Sequence, residues 1–561
     1  MLLDYDLGLL RLVAELWGQA LASGNVREAQ EELAGRLLQP EAVTEVVAAL
    51  DPPARAALDI LAREGRQPLA QFTRRHGELR AMGPARRDRE RPWLNAPSVS
   101  ESLWYRALAA HAFFDDGRGP QEFIFIPDDL RPLIYVAHGR DAQGSAPAGT
   151  PPGQPAPASS VEPDPLAQNA LADDAVTVLA YLQVVSVRLE AGALPARHRA
   201  ALARFLRRPE TLDFAVLLLQ ALGLCQAAPP NGPLKLEPAQ VQPFLQAAPS
   251  ERVRRLAEAW RDSRDWNDLL HLPGLLFEGQ AWRNDPVTAR QAILSLLADV
   301  PAGQWWSLDS FVAAVQERQP DFQRPAGDYD SWYIRDAVTQ TYLRGFANWE
   351  RVDGALVRWL IESPLRWLGL VETASPPPAF RLTPYGAACL GQAGWESGEA
   401  ALASLTFNPE GLLHVPAAAS AYDRFQLARI SAWLPPAGPH YMYRLTPAAL
   451  TRAAQKGITI SRILDFLERA AGGPEVLAAN PAWPVLSAAL RRWETRGGEA
   501  VLRETVVLKL ASAELLDTLR GAASIRDYLG EAVGPATVLV LKEHLAAVRA
   551  ALAGMGILAD E

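Results

Sequence analysis

Lysine is almost missing from this 561-residue sequence: Lys235, Lys456, Lys509 and Lys542 are the only four, so nearly all positive charge is arginine. A phosphate-binding loop needs a lysine after a glycine-rich turn, because its ammonium neutralises the transferred phosphates and the next hydroxyl holds magnesium. None of the four has that setting. Lys235 and Lys509 lie between leucines, Lys456 precedes Gly457, and Lys542 follows Leu541. No Asp-Glu-x-His box occurs either, which excludes a helicase-type ATPase motor. Cysteine is as scarce, with Cys225 and Cys389 alone and far apart, so the sequence offers no disulfide framework or zinc knuckle, and both read as small core residues. The eight histidines are scattered without zinc-protease spacing, and there is no Gly-x-Ser-x-Gly elbow. The expectation is a protein that is not an enzyme and takes no cofactor or metal.

Long apolar runs are lacking too. The longest, 214–225, falls short of the roughly 20 residues that span a bilayer. The first residues, MLLDYDLGLLRLVAELW, carry Asp4 and Asp6 where a signal peptide would carry basic residues. A cytoplasmic chain with no membrane partner is expected.

What is present is a globular composition, 49% hydrophobic and 21% charged, in a length that predicts about three to five domains. The net charge of −9 opposes long-range attraction to nucleic acid, so any DNA contact must be local. Arginine suits bidentate phosphate contacts, and a GC-rich genome would give the same arginine bias.

Residues 1–138 read as a helical hairpin followed by a winged-helix domain. Asp51-Pro52 opens a helix that Gly65 stops, a helix-turn-helix follows, and FIFIPDDL closes on a strand. The proline-, alanine- and glycine-rich interval 139–174 reads as a disordered linker. Residues 175–285 form a helical or winged-helix-like domain and 286–400 another. The strand-proline-helix phrase recurs as FIFIPDDL, LKLEPAQV, FRLTPYGA and YRLTPAAL, either as a repeated winged-helix ending or as a common junction. Trp305, Trp306, Trp332, Trp349, Trp359 and Trp367 crowd the middle of the chain. Helical spacing predicts core anchors, with base stacking the competing role.

The final domain, 401–561, has at its centre FQLARISAWLPPAGPHYMYRLTPAALTRAAQKGITISRILDFLERAAG. Its order of strand LTFNPEGLLHVP, helix FQLARISAW, strand YMYRLTP and helices AALTRAAQKG and ILDFLERA, closing on LRRWE, resembles the amino-terminal, non-motor helicase-associated module of XPB-type helicases. LRETVVLKLAS and GPATVLVLKEHLAAVRAALAGMGIL are similar to that module's later strand and helix returns. The resemblance implies a module that lies beside a motor and helps it engage DNA, and it maps no individual contact residue onto this chain.

The expected fold is therefore α+β, mainly helical and multidomain, with tandem winged-helix-like units before the helicase-associated module. The candidate DNA-binding residues are Arg74, Arg75, Arg80, Arg86, Arg87, Arg89 and Arg91, which fall at or before the recognition element of the first winged helix and could grip phosphates. Alternation with Asp88 and Glu90 also describes a solvated, internally paired surface. A second patch holds Arg197, Arg199, Arg204, Arg207 and Arg208. The expected function is non-catalytic DNA binding or helicase accessory work in DNA repair, with DNA and a helicase or nuclease subunit as partners. The alternatives are a winged-helix scaffold for a separate motor subunit and a transcription regulator, the latter disfavoured because no coiled coil is evident to pair subunits on half-sites.

Overall fold

The computed structural model describes residues 2–115, 120–137, 151–157, 167–229, 232–279, 284–324, 327–395, 402–498 and 504–559. The chain is α+β and multidomain. It divides into a larger unit (Met1–Leu405, His414–Arg429 and Trp433–Tyr443) and a smaller one (Thr406–Leu413, Ile430–Ala432 and Arg444–Glu561). No helix among the described residues is long and apolar enough to cross a membrane.

The larger unit begins with helices α1 (Leu7–Leu16), α2 (Val26–Leu37), α3 (Pro40–Ala48) and α4 (Pro52–Glu64). Asp51 caps α4 by accepting from the Ala54 amide at 2.8 Å, prolines fill the first turn, and Gly65 ends it at φ +84°. There follow β1 (Arg66–Pro68), α5 (Leu69–His76), α6 (Pro84–Glu90), α7 (Val99–Tyr105), β2 (Ala110–Asp115), β3 (Pro120–Phe125) and α8 (Arg131–Ala137). The three strands form an antiparallel sheet in the order β1-β3-β2. Leu10, Val13, Leu33, Leu58, Leu61, Phe72, Leu103 and Ile124 meet in one core against it.

Helix α9 (Ala170–Val184) is buried along almost its whole length, including Asp173 and Asp174. Both aspartates have work to do there. Asp174 accepts from the Arg207 and Arg208 amides at 2.9 and 2.8 Å, while Arg424 donates to the Asp173 carbonyl and lies 3.8 Å from the Tyr441 ring centroid. Around α9 stand α10 (Ala196–Ala203), α11 (Leu212–Ala221), the hairpin β4 (Cys225–Ala227) and β5 (Leu234–Leu236), α12 (Pro238–Gln246) and α13 (Pro249–Asp262). Next come β6 (Leu275–Phe277), α14 (Pro286–Leu297), β7 (Trp306–Ser307), α15 (Leu308–Arg318), β8 (Ile334–Asp336), α16 (Ala355–Leu360), β9 (Val371–Ala374), β10 (Ala379–Leu382) and α17 (Pro384–Cys389). Here too the three-stranded sheet has its last strand in the middle, β7-β10-β9, while β6 pairs with β8.

Strands β11 (Thr406–Phe407), β12 (Leu412–Pro416), β13 (Ala432–Ala437) and β14 (His440–Arg444) follow in the chain, with α18 (Ala421–Ile430) between β12 and β13. The smaller unit continues with α19 (Pro447–Gln455), α20 (Ile460–Ala470), α21 (Pro474–Ala478) and α22 (Ala482–Arg496). It ends in β15 (Thr505–Lys509), α23 (Ala513–Gly521), β16 (Leu529–Gly534), β17 (Thr537–Leu541) and α24 (Leu545–Gly554). Val538 and Val540 of the central strand pack on Leu516, Leu519, Val548 and Leu552.

Three of the four strand-proline-helix phrases become that junction directly, with Pro238, Pro384 and Pro447 opening the helix, while in FIFIPDDL a turn at 128–130 separates Pro127 from α8. In two of them a threonine caps the helix: Thr383 accepts from the Gly386 amide and Thr446 from the Ala449 amide, at 3.1 and 3.2 Å. The interval expected as a linker differs. Residues 151–157 lie along the edge of β7, and α9 starts at Ala170. Prolines suit an edge because only alternate residues there must donate a hydrogen bond. Residues 139–150 and 158–166 lie outside the described residues.

Candidate nucleic-acid interface

The seven arginines singled out in the sequence do not form one free cationic face. Arg74 pairs with Asp321, its guanidinium 5.2 and 5.0 Å from the Tyr329 and Phe346 ring centroids, and Arg75 donates to the Glu317 carbonyl. Arg80 makes a forked bond to Glu101, at 2.6 and 2.9 Å, and Glu101 is fully buried. Arg86 meets Glu90 one helical turn on at 2.7 Å. Arg87 is buried, bonding Asp6 at 2.7 and 3.0 Å and Asp88 at 3.0 Å, and its guanidinium holds the Asp6 carboxyl below the usual range. Only Arg89 and Arg91 are exposed without a side-chain hydrogen bond or ion pair among the described residues.

The second patch is divided in the same way. Arg199 pairs with Asp213 at 2.5 Å, and Arg207 donates to the Tyr441 hydroxyl and the Gly438 carbonyl, both at 2.9 Å. Arg204 is exposed. Of the six tryptophans, Trp305, Trp306, Trp332 and Trp349 are buried, and Trp359 and Trp367 are half-buried with centroids 5.6 Å apart. The two cysteines are buried and half-buried, and burial pushes the Cys225 thiol up to about 12.

The structure assembles a different exposed feature on the hairpin of β8, which pairs with β6. Strand β8 turns at residues 337–340 and returns through Thr341 and Tyr342. The Asp336 amide donates to the Thr341 carbonyl at 3.0 Å, the Leu343 amide to the Ile334 carbonyl at 2.9 Å, and Gln340 takes φ +59° in the turn. Asp336 closes the tip, accepting from the Val338 and Thr339 amides at 2.9 and 2.7 Å, and those bonds hold its carboxyl below the usual range.

Strand alternation then sorts the side chains. Ile334 and Leu343 point inward and are 0% and 3% exposed. Tyr333, Arg335, Tyr342 and Arg344 take the other face. Tyr333 and Tyr342 are each 43% exposed, their centroids 6.2 Å apart at 80°. The Arg344 guanidinium lies 4.9 Å from one ring centroid and 5.1 Å from the other, and Arg335 lies 4.7 Å from that of Tyr342.

Their charges are not balanced alike. Glu278 compensates Arg335 at 2.7 Å and accepts from the Tyr342 hydroxyl at 2.9 Å, and Arg351 pairs with Asp336. Arg344 is exposed and its guanidinium has no carboxylate or hydrogen-bond acceptor among the described residues. Val338, 89% exposed, and Leu276, 41% exposed, flank the face.

Two buried ion pairs hold this hairpin in place. Across β6 in the chain, Arg290 of α14 is fully buried and bonds Asp268, which precedes β6, at 2.6 Å together with the carbonyls of Trp260, Ser263 and Trp266. Asp268 also accepts from the Trp260 and Trp266 indoles at 3.2 and 3.0 Å. Before β8, Arg324 makes a forked bond to buried Asp353 at 2.9 and 3.0 Å, and its guanidinium lies 4.3 Å from the Trp332 centroid. A phenol pair around an uncompensated guanidinium offers two stacking surfaces and one positive charge, suited to a flat ring beside a phosphate. The sequence carries a signal for it in the paired phrases Tyr333-Ile334-Arg335 and Tyr342-Leu343-Arg344, which the sequence reading passed over.

No family model and no curated protein matches the chain.

Proposed function

We propose that this chain is a non-catalytic DNA-binding accessory to a helicase-type motor, and that it engages unpaired bases at the two-tyrosine face. The observation that carries the reading is the exposed, uncompensated Arg344 guanidinium between Tyr333 and Tyr342. Support also comes from element order. The units built on β1-β3-β2 and β7-β10-β9 share the order helix, strand, helix, helix, strand, strand, with the last strand central, once the inserted α6 of the first and β8 of the second are set aside; that shared order supports the winged-helix reading. The C-terminal element order resembles the XPB-type helicase-associated module.

In a winged helix the helix before the hairpin reads the major groove. Here α16 buries Leu356, Val357 and Leu360, and its counterpart α7 buries Ser100, Glu101, Leu103 and Tyr105. Base-specific readout by those helices is therefore not part of the proposal. Stacking is sequence-tolerant, because every base has a ring face. A second reading, a protein-docking scaffold, is favoured by the five N-terminal arginines that are already paired and by Val338 and Leu276, since tyrosine and arginine also anchor protein interfaces.

The test is fluorescence anisotropy with duplex, forked and single-stranded DNA at low and moderate salt. Tightest binding to the forked or single-stranded probe is expected, with a shallow salt slope near −0.7 per phosphate contacted. Absence of binding at low salt overturns the DNA reading and leaves the scaffold, whose partner a pull-down would identify.

A further inference from the structure

We propose that the edge of β7 is a peptide-recognition site for an extended Pro-Gly-x-Pro segment of a partner protein, and that residues 151–157, Pro-Pro-Gly-Gln-Pro-Ala-Pro, fill it in cis as a built-in competitor. The strip pairs antiparallel at Pro155 and Trp306. The Ser307 amide donates to the Gln154 carbonyl at 3.0 Å, and the Ala156 amide donates to the Trp305 carbonyl at 2.9 Å. Main-chain pairing of this kind gives affinity to any extended peptide.

Selectivity comes from the side chains around it. The Trp306 indole donates to the Pro152 carbonyl at 2.7 Å, the Gln154 amide donates to the Ser310 hydroxyl at 2.8 Å, and Arg318 donates to the Pro151 carbonyl at 3.3 Å. Only Gln154 and Ala156 of the strip donate backbone bonds to the site; the prolines stand where no donor is required. Gly153 is demanded twice over. Its φ is +87°, and a Cβ there would sit 2.8 Å from both the Phe311 amide nitrogen and the Ser310 hydroxyl oxygen. The site thus requires glycine, accepts proline on both sides, and reads the backbone in between.

The strip also closes an edge that would otherwise be unpaired, which is how proteins keep sheet edges from indiscriminate pairing. A tethered strip competes at an effective concentration of roughly millimolar. A free peptide therefore meets an occupied site until a partner presents the motif at high local concentration or the strip is weakened. Arg74 and Arg75 of α5 dock at the far end of α15, on Asp321 and the Glu317 carbonyl, so the helix that flanks the strip also holds the N-terminal arginines.

The experiment uses the full chain with Gly153→Val, which ejects the strip, and a fluorescent PPGQPAP peptide. Anisotropy should report binding to the variant at least about tenfold tighter than to the wild type, and a peptide with valine for its glycine should bind neither. Failure of the folded variant to bind, or equal binding of the valine peptide, overturns the proposal. A wild-type dimer by light scattering that Gly153→Val abolishes would overturn it in favour of strip exchange between copies. Should the variant not fold, hydrogen exchange of the wild type decides. The Ser307 amide should exchange far faster than the core amides of β10, and equal protection would make the strip an integral strand and overturn the proposal.

Discussion

Replacing Arg290 by methionine tests whether the buried Arg290–Asp268 hub carries the weight the geometry gives it. Arg290 is 0% exposed and Asp268 3% exposed, and one guanidinium satisfies that carboxylate and three carbonyls. Burial pushes the Asp268 carboxyl above its ordinary range and Arg290 below its own, so each is kept in place by the other. Methionine fills much of the volume and removes every donor. Breaking a buried pair from one side costs about 3–5 kcal/mol, and stranded carbonyls add about 1–3 kcal/mol each unless water enters. A loss of roughly 5 kcal/mol or more rivals the whole stability of a domain, about 5–15 kcal/mol.

Because the chain holds more than one unit, a single melting midpoint is a poor reporter. Hydrogen exchange read by mass spectrometry localises the loss, which should appear in α13, α14, β6 and, through the β6-β8 pairing, the two-tyrosine hairpin. The Arg290→Met, Asp268→Asn double variant should recover at least about 2 kcal/mol in urea relative to Arg290→Met alone, since no unpaired charge is left behind. A single variant within about 1 kcal/mol of wild type, or a double variant no better than the single, would refute the reasoning.

Other expectations follow from individual contacts. Gly386→Ala should destabilise the larger unit by about 1–3 kcal/mol in thermal or urea unfolding, because a Cβ there would lie 2.0 Å from the Leu370 carbonyl, outweighing the gain of about 1 kcal/mol that alanine brings to a helix. Burial pushes Asp174 up to about 7, against the opposing pull of the Arg207 and Arg208 amides. Between its unfolded value of about 4 and that value the folded chain holds a proton the unfolded chain has released. Stability should therefore fall as pH rises through that window, and Asp174→Asn should flatten this part of the urea-midpoint profile, whereas identical profiles would contradict it. Arg87→Ala should cost about 1 kcal/mol, through the lost packing of a buried side chain more than through Asp6, whose carboxylate is 43% exposed and stays hydrated, while Arg89→Ala should stay within about 0.5 kcal/mol, both read by urea unfolding.

Local grammar was legible where a signal and its effect lie close together. Asp51-Pro52 and Gly65 delimit α4, and Thr383-Pro384 and Thr446-Pro447 begin helices, because caps act within one turn. The arginine cluster misleads for the opposite reason. The acceptors of Arg87, Arg80 and Arg74 lie 81, 21 and 247 residues away, so pairing that neutralises them is invisible to local charge pattern. Residues 151–157 look like linker because proline and glycine are abundant there, yet an edge strip can use both. The tyrosine face arises by pairing across a turn, which places Tyr333 beside Tyr342 although neither belongs to an amphipathic run.

The most direct test of the account sets two variants side by side in anisotropy with forked DNA: Tyr333→Ala, Tyr342→Ala, Arg344→Ala together, and Arg86→Ala, Arg89→Ala, Arg91→Ala together. Stacking contributes about 1–3 kcal/mol per base, and 1.4 kcal/mol is tenfold, so the first variant should lose at least about tenfold in affinity while the second stays within about twofold. Affinity kept by the first and lost by the second would contradict the account and return the contact to the N-terminal arginines.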